Sequence, residues 1–303
     1  MSMRITNGML SRSVLADLNR ADVQLANTQR KLSSGKQITR PSDDPYGASR
    51  AMELRGNLEG TQQYQKNVSD AVAWTNVTDI ALGKISDSLS RIRELTVQAG
   101  SDTTGAVAKN AVASEIDQLI ESVKQEANAN YAGHYVLSGA AVTTRPYGSG
   151  PAGDAYSGDS NAILREVGPG VTLQVNTDAG SILGSGGGDG KLIDTLRNIS
   201  AHLRGGTPAD SNSLRTTDLA ALTTQGDAIS GVRATVGSIS NRLDTASSRL
   251  QEVEETTTKL LSDVEDADMA KTMVAYSTQQ SAYQAALRSG ANIVQASLLD
   301  FLR

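Results

Sequence analysis

The sequence contains no cysteine, and histidine is almost absent. Without Cys, neither a disulfide framework nor a thiolate metal site can form, so stability must come from packing or assembly. The two histidines, His134 and His202, lie far apart in sequence, and no HExxH motif occurs. The sequence therefore predicts no zinc centre and no histidine-dependent catalytic centre.

Large aromatic side chains are also scarce. Aromatic residues make up 3% of the chain, with one Trp and one Phe, and hydrophobic residues reach 38%. A compact monomeric globule usually fills its core with more large side chains. Many aliphatic residues at helical spacing are instead typical of long helices packed in bundles.

Long apolar runs are missing as well. No stretch approaches the roughly 18 apolar residues of a membrane span, and the polar N-terminus lacks the apolar core of a signal peptide. The net charge of −5 is too mild to indicate nucleic-acid binding. Composition alone thus predicts a cytoplasmic protein with neither a membrane nor a nucleic-acid partner.

Proline and glycine mark out the organisation of the chain. All six prolines lie in a short loop near residue 43 or in the middle of the sequence, so 46–145 and 209–303 are free to form long helices. Of the 28 glycines, 16 lie between Gly133 and Gly206. The expected fold is mainly α: a long antiparallel helical bundle or coiled coil from both chain ends, with a small central β-rich insert. The expected domains are 1–44, 45–131, 132–206, 207–265 and 266–303.

Heptad spacing of apolar residues supports the helices at both ends. The N-terminal seam consists of Val14, Leu18, Ala21, Leu25, Thr28 and Leu32. A second seam runs from Ile229 to Val264, and a third resumes near the C-terminus. The third seam consists of Leu287, Ala291, Val294, Leu298 and Phe301. Apolar residues so near a free terminus need a partner, because termini otherwise fray.

Helix ends and strands are predicted from local signals. Gly35 is expected to end the first helix, and Asp44 to cap the next one at Pro45. Thr207, Pro208 and Asp210 predict another helix start. Tyr135-Val136-Leu137, 163–167 and 171–175 are expected strands, and a short helix is expected over 192–203.

Two apparent ligand motifs fail on inspection. The glycine-rich run 184–191 has Ser185 where a phosphate loop needs Gly, and Leu192 where it needs Ser or Thr. We therefore interpret it as a flexible linker. The acidic cluster over 263–268 lacks the central Gly and terminal Glu of an EF-hand loop, so we expect an exposed acidic helix segment or a helix junction. No catalytic motif or cofactor site is found, and the chain is predicted not to be an enzyme.

The two chain ends carry opposite charge. Residues 1–40 hold seven Arg or Lys against two Asp, a net charge of +5. Residues 251–303 hold eight Asp or Glu against four Arg or Lys, a net charge of −4. Terminal helices of opposite sign are suited to pair, within one subunit or between neighbours. Solvated faces of unrelated helices remain an alternative reading of the charges.

Five segments at the two ends of the chain resemble one known family, the flagellin superfamily. They are Leu32-Ser33-Ser34-Gly35-Lys36, Pro41-Ser42-Asp43-Asp44-Pro45, Arg91-Ile92-Arg93-Glu94-Leu95-Thr96-Val97-Gln98-Ala99, Glu265-Asp266-Ala267-Asp268-Met269-Ala270 and Ser297-Leu298-Leu299-Asp300-Phe301-Leu302-Arg303. Within the superfamily, Arg40-Pro41-Ser42-Asp43-Asp44-Pro45 and Tyr156-Ser157-Gly158-Asp159 resemble the branch that joins hook to filament. The alternative is a short flagellin that forms the filament itself, which 91–99 would suit equally well.

The resemblance implies an assembling structural protein. Such subunits pair their terminal helices into an inner tubular layer and are exported to the extracellular flagellum by the type III export apparatus, without a cleavable signal. Implied partners are further copies of the chain, hook-associated protein 1, flagellin and an export chaperone. The isolated subunit is expected to order its termini on assembly.

We predict that the terminal seams form the assembly interface. The residues are Val14, Leu18, Leu25, Leu32, Leu287, Ala291, Val294, Leu298 and Phe301. An ordinary intramolecular seam is the alternative reading of these positions. A helical bundle that binds a ligand or transmits a signal, with the insert as sensor, is the rival function; it would fold fully as a monomer.

Overall fold

The computed structural model describes residues 7–101 and 104–301, and helices dominate it. Its main helices are α1 (Asn7–Ser34), α2 (Pro45–Ala99), α3 (Ala106–Ala127), α5 (Leu192–Gly205), α7 (Leu219–Glu265) and α8 (Met269–Phe301). Shorter helical segments are α4 (Gly180–Leu183), α6 (Pro208–Ser213), a 3-10 turn (Pro151–Gly153) and a π-helical turn (Leu214–Asp218). Among the described helices, none combines the length and the hydropathy that crossing a membrane requires.

The chain divides into two compact units. Unit 1 consists of residues 1–60 and 253–303, and unit 2 is the continuous segment 61–252. The divisions fall inside α2 and α7, because both helices run without interruption from one unit into the other.

In unit 1, α1 packs along α8 in the antiparallel direction. Thr28, in the last quarter of α1, donates from its hydroxyl to Oε1 of Gln279 at 2.6 Å. Val14, earlier in α1, lies against Gly290, later in α8; a Cβ built on Gly290 would stand 3.0 Å from Val14 Cγ1. The opposite numbering of these two contacts defines the direction, and the missing Cβ of Gly290 permits the close approach.

The predicted helix ends of unit 1 are confirmed. Gly35 has φ +71° and its amide donates to the Lys31 carbonyl at 2.9 Å, the conformation that glycine favours after a helix. Asp44 Oδ1 accepts from the amides of Tyr46 and Gly47 at 3.1 and 3.0 Å. Proline at the first position of α2 loses no hydrogen bond, since that amide would be unpaired anyway.

Unit 2 has one large aliphatic core. Fully buried side chains come from α2, α3 and α5: Leu82, Ile85, Ile92, Ile116, Ile120, Leu192, Ile193 and Leu196. The predicted seam of α7 supplies buried Ile229 and Val236 to this core, and buried Leu243 and Leu250 to a second cluster with Val68 and Leu173. Farther along that seam Val253 and Leu260, in unit 1, are 42% and 44% exposed. Thr257, between them in the same seam, is 8% exposed, so beyond Leu250 the seam is covered within the chain only at alternate positions.

The insert contains two antiparallel hairpins, β1 (Asn130–Tyr131) with β2 (His134–Tyr135) and β3 (Leu164–Gly168) with β4 (Val171–Gln174). The predicted strands over 163–167 and 171–175 and the helix over 192–203 are confirmed within one or two residues. The predicted strand over Tyr135-Val136-Leu137 is wrong beyond Tyr135. Val136 and Leu137 leave the strand and are fully buried in the core of unit 2.

A buried ionic network fastens the insert to α3. Lys124, with a side chain only 2% exposed, contacts Glu121 at 2.8 Å, Asp154 at 2.9 Å and the Gly150 carbonyl at 2.8 Å. Arg197 of α5 reaches the other oxygen of Asp154 at 2.8 Å. Desolvation alone would raise the pKa of Asp154, but its hydrogen bonds to Arg197 and Lys124 lower the pKa below the usual range.

Candidate assembly surface on the terminal helices

The structure places the four predicted residues of α1 on its half-buried side. Val14, Leu18, Leu25 and Leu32 are all half-buried, and they recur at helical spacing along the helix that packs on α8. Val14 and Leu18 lie next to Gly290 of α8, which fits the alternative reading of an intramolecular seam; the role of the four residues in assembly stays a prediction. Their partial exposure leaves apolar surface at the edges of that seam.

The C-terminal seam lies to one side of the face that α8 presents to α1. Thr272 and Gly290 are buried, and Gln279 is half-buried, whereas Leu287 is 45% exposed and Ala291 is exposed. Leu287 and Ala291 therefore lie at the edge of the helix pair. The predicted residues Val294, Leu298 and Phe301 have side chains outside the described part of the structure.

An open groove follows this edge between the two helices. It has a volume of about 450 Å³, and α1 contributes its polar and apolar lining from one side while α8 forms the other. The lining residues are Ser11, Val14, Leu15, Leu18, Leu287, Gly290 and Ala291. Because Gly290 has no side chain, Val14 and Leu18 remain accessible at this point. Four predicted interface residues thus meet at one concave surface.

Exposed apolar side chains concentrate in unit 1. Eleven of the sixteen large hydrophobic residues that are exposed in the described chain belong to it, although it holds only about a third of the residues. They are Met9, Leu15, Val23, Tyr46, Met52, Val253, Leu260, Met269, Met273, Val274 and Leu287. Most were missed by sequence reasoning, because they lie outside the heptad seams. Concentrated apolar exposure of this kind is common at protein–protein interaction sites.

The junction between α7 and α8, here called the elbow (residues 263–273), is tied to the loop that follows α1. The backbone N–H of Gln37 donates to the Glu265 carbonyl at 2.6 Å, and the backbone N–H of Ala267 donates to the Gly35 carbonyl at 2.9 Å. Lys36 Nζ lies 3.1 Å from Glu265 Oε1. The predicted helix junction is thus confirmed, but its expected exposure is wrong for Glu265, which is 4% exposed.

Two cations hold this buried carboxylate. Arg55 and Lys36 both contact Oε1 of Glu265, while Oε2 is buried without a hydrogen-bond partner. Burial disfavours the charged form of Lys36, but its hydrogen bonds to Asp266 and Glu265 outweigh this and raise its pKa. Glu265, which the sequence analysis places in an exposed acidic segment, is therefore a buried carboxylate that pairs with both Lys36 and Arg55.

Loop 35–44 is ordered by its own side chains. Asp43 Oδ2 accepts from the Thr39 hydroxyl at 2.9 Å and from the Arg40 amide at 3.0 Å. The hydrogen bond from Thr39 is the main reason that the pKa of Asp43 is lowered. At its end, a Cβ on Gly47 would stand 2.4 Å from Asp44 Oδ2 and 2.5 Å from Ile38 Cδ1. A side chain at this position would have to displace the Ile38 side chain and the Asp44 carboxylate that caps α2.

The glycine-rich run of the insert is occupied by its own carboxylates. Asp189 accepts from the amides of Ser185 and Lys191 at 2.6 and 2.9 Å. Asp194 accepts from the amides of Gly188 and Gly190 at 2.9 and 3.2 Å. Amides that a phosphate would need are therefore taken by fixed anions, and the expected flexible linker is a structured loop. Across the described residues, no group of three or more potential metal ligands is clustered.

Family models match both helical ends of the chain. The model for the bacterial flagellin N-terminal helical region matches residues 5–142, and the model for the bacterial flagellin C-terminal helical region matches 219–302. The chain belongs to the flagellin superfamily. It is therefore a structural protein of the flagellum, which agrees with the resemblance stated from its motifs and decides against a ligand-binding or signalling bundle.

Individual relatives agree with this membership. The flagellar filament 30.7 kDa core protein of Treponema maltophilum is 27% identical over 282 residues, covering 92% of each chain. A flagellar hook associated protein-3 from Legionella pneumophila superposes with a TM-score of 0.62 at 15% identity, covering 70% of this chain and 98% of that one. FlgL from Bacillus cereus gives a TM-score of 0.59 at 24% identity, covering 69% and 99%. The chain shares the fold of these hook-associated proteins.

Proposed function

We propose that this chain is the subunit of a junction that links the hook, through hook-associated protein 1, to the flagellin filament. The observation that carries the proposal is the concentration of exposed apolar side chains in unit 1, the unit made from both chain ends. Neighbouring subunits that cover this surface by helix packing would remove its apolar side chains from water. Burial of apolar surface is the main driving force for association.

The loop after α1 supports the junction rather than the filament. Its form Arg40-Pro41-Ser42-Asp43-Asp44-Pro45 resembles the junction branch, and each feature of that form has a local role. Asp43 orders the turn through Thr39 and Arg40, and Asp44 with Pro45 starts α2. The likeness in fold to solved hook-associated proteins points the same way.

The mechanism is mechanical adaptation. Two tubes whose subunits pack differently cannot join without mismatched contacts, whereas a short ring of intermediate subunits can match the hook side with one surface and the filament side with another. The subunits would be exported to the extracellular flagellum by the type III export apparatus, with an export chaperone covering the C-terminal helix beforehand. Covering is needed because apolar surface exposed in the cytoplasm invites aggregation.

A short flagellin that builds the filament is the second candidate. The observation in its favour is that a filament core protein from Treponema maltophilum matches along 92% of its length, with no large insertion required. The two candidates differ in what a cell lacking this chain secretes.

The deciding experiment is deletion of the gene, followed by electron microscopy and an assay for flagellin in the medium. Bare hooks with flagellin lost to the medium are expected, because filament subunits would be exported but find no acceptor. Hooks without secreted flagellin would identify this chain as the filament protein. Normal flagella in the absence of any duplicate gene would refute both.

A substitution within the seam tests the surface itself. Leu25→Asp places a charged carboxylate on the half-buried side of α1, so we expect a secreted subunit whose unit 2 is folded but which fails to enter flagella. Val107→Asp is the matched control, because Val107 is 86% exposed and lies in unit 2. Equal incorporation of the two variants would contradict the role of the seam.

A further inference from the structure

All six methionines of the chain lie in unit 1, although unit 2 holds most of the residues. The four whose side chains the structure describes are 47–64% exposed: Met9, Met52, Met269 and Met273. Methionine ordinarily fills irregular gaps in apolar cores. The core of unit 2 is instead built from aliphatic and aromatic side chains. The described thioethers are therefore surface groups, and their chemistry is available to reagents in solution.

Three of these methionines lie in the elbow or beside it. Met269 and Met273 are four positions apart on α8, so they share one face of the helix. Met52 lies three positions before Arg55 on α2, and Arg55 contacts Glu265 in the elbow. That ion pair brings the start of α2 next to the elbow. The three thioethers therefore occupy one region of unit 1.

We propose that Met52, Met269 and Met273 form a site of reversible oxidation, at which hydrogen peroxide converts exposed thioethers into sulfoxides and thereby prevents assembly of the free subunit. This inference rests on the proposed function as an assembling subunit. In the reaction, a lone pair on sulfur attacks one peroxide oxygen and the O–O bond breaks. The leaving hydroxide takes the proton from the transferred oxygen and departs as water. Each thioether loses two electrons, and the peroxide gains them.

Other groups that would compete for the oxidant are absent or buried. Cysteine thiolates are preferred targets of peroxide in proteins, but the chain contains no Cys. The single tryptophan, Trp74, is only 5% exposed and lies in the core of unit 2. Susceptibility to oxidation increases with exposure, so we expect the oxidant to reach the methionines of unit 1 first.

Oxidation changes what the elbow surface can pack against. A sulfoxide is polar, so it converts a flexible apolar side chain into one that carries a strong hydrogen-bond acceptor. Burial of a polar group without a donor costs free energy, and a neighbour that covers the thioethers would therefore bind the sulfoxides more weakly. The fold of the subunit should be retained, because the three side chains are exposed and unit 2 contains no methionine.

Peroxide treatment of the purified chain, followed by its addition to cells that lack the gene, measures both the chemistry and its effect. Peptide mass spectrometry should find one added oxygen, about 16 Da, at each of the three methionines of the folded chain. The treated chain should restore about tenfold fewer filaments than the untreated chain. Circular dichroism and the fluorescence of buried Trp74 should not change. Methionine sulfoxide reductases A and B together should recover filament formation, because each reduces one sulfoxide epimer.

Leucine variants assign the effect to the elbow. Leucine has an apolar surface of similar size to that of methionine but cannot form a sulfoxide. The Met52→Leu/Met269→Leu/Met273→Leu variant should restore equal numbers of filaments before and after treatment. Met9→Leu is the matched control and should lose as much on treatment as the parent chain. Met9 is 59% exposed, but it lies at the end of the antiparallel α1–α8 pair that is farther from Met273.

Several results would contradict the inference. Absence of sulfoxide at the three positions in the folded chain would overturn it whatever the function of the chain. Restoration of filaments by the oxidised chain at the untreated level would overturn it and leave the proposed junction intact, because assembly would still be observed. An equal loss in the triple leucine variant, or no recovery after the sulfoxides have been reduced, would also overturn it. An untreated chain that restores no filaments would refute the proposed function itself, and the inference with it.

Discussion

Replacement of Lys124 by methionine tests whether buried charge fastens the insert to the helical core. Methionine keeps the length and most of the volume of lysine but removes the ammonium group. That group contacts Glu121 at 2.8 Å, Asp154 at 2.9 Å and the Gly150 carbonyl at 2.8 Å. The substitution leaves two carboxylates and one carbonyl at the base of the insert with fewer donors.

The expected loss is about 3 kcal/mol in the free energy of unfolding of unit 2. Removing one partner of a buried ion pair costs roughly 3–5 kcal/mol, because the remaining charge stays buried. The lower end applies here, since Arg197 still contacts Asp154 at 2.8 and 3.1 Å. For a domain of this size, about 3 kcal/mol corresponds to a fall of roughly 6–12 °C in the melting temperature.

Thermal and urea unfolding followed by circular dichroism would measure this loss. Lys84→Met is the matched control, because Lys84 also pairs with a glutamate, Glu126 at 3.3 Å, but its side chain is 59% exposed. It should cost less than about 1 kcal/mol. If the two variants unfold within 1 kcal/mol of each other, the reasoning about burial is refuted.

Three further predictions concern other parts of the chain. The pKa of Asp154 is lowered in the folded state, so its contribution to stability should be complete above about pH 4 and lost as the pH falls below that. Acid titration of unit 2 should show this loss, and an unchanged acid midpoint after Asp154→Asn would contradict it. Gly47→Ala should destabilise the start of α2 by about 1–3 kcal/mol through overlap with Asp44, seen as faster amide exchange near residue 47. Arg55→Gln should cost about 1–3 kcal/mol by leaving buried Glu265 with one cation, and unchanged amide exchange at the elbow would count against this.

Features set by short stretches of sequence could be predicted. Gly35 ends α1, Asp44 caps α2, and Thr207 with Asp210 forms the expected reciprocal cap at α6. In each case the signal and the structure lie within four residues of one another, so no knowledge of the fold is required. The heptad repeat of α7 likewise predicted its buried side, since Ile229, Val236, Leu243 and Leu250 are all buried.

Features that depend on distant residues could not be predicted. Lys124 follows the pattern of a surface lysine, and only the approach of Asp154 from the insert makes its burial possible. Glu265 lies in an acidic run for which the sequence predicts exposure to solvent. Its burial depends on ion pairs with Lys36 and Arg55, which are more than 200 residues away in sequence. The candidate surface was predicted only in part. Besides the predicted seam at Leu287, α8 exposes Met269, Met273 and Val274, and heptad spacing alone does not show which of these apolar side chains remain exposed.

The division into units has a consequence for the order in which the molecule forms. Unit 2 is one continuous segment, so it is able to collapse before the chain is complete. Unit 1 depends on pairs such as Thr28 with Gln279, which are separated by 251 positions. Contacts of such long sequence separation are slow to form because closing the loop costs entropy. We therefore expect unit 2 to fold before α1 and α8 pair, and the loss of residues from either end to disrupt unit 1 more than unit 2.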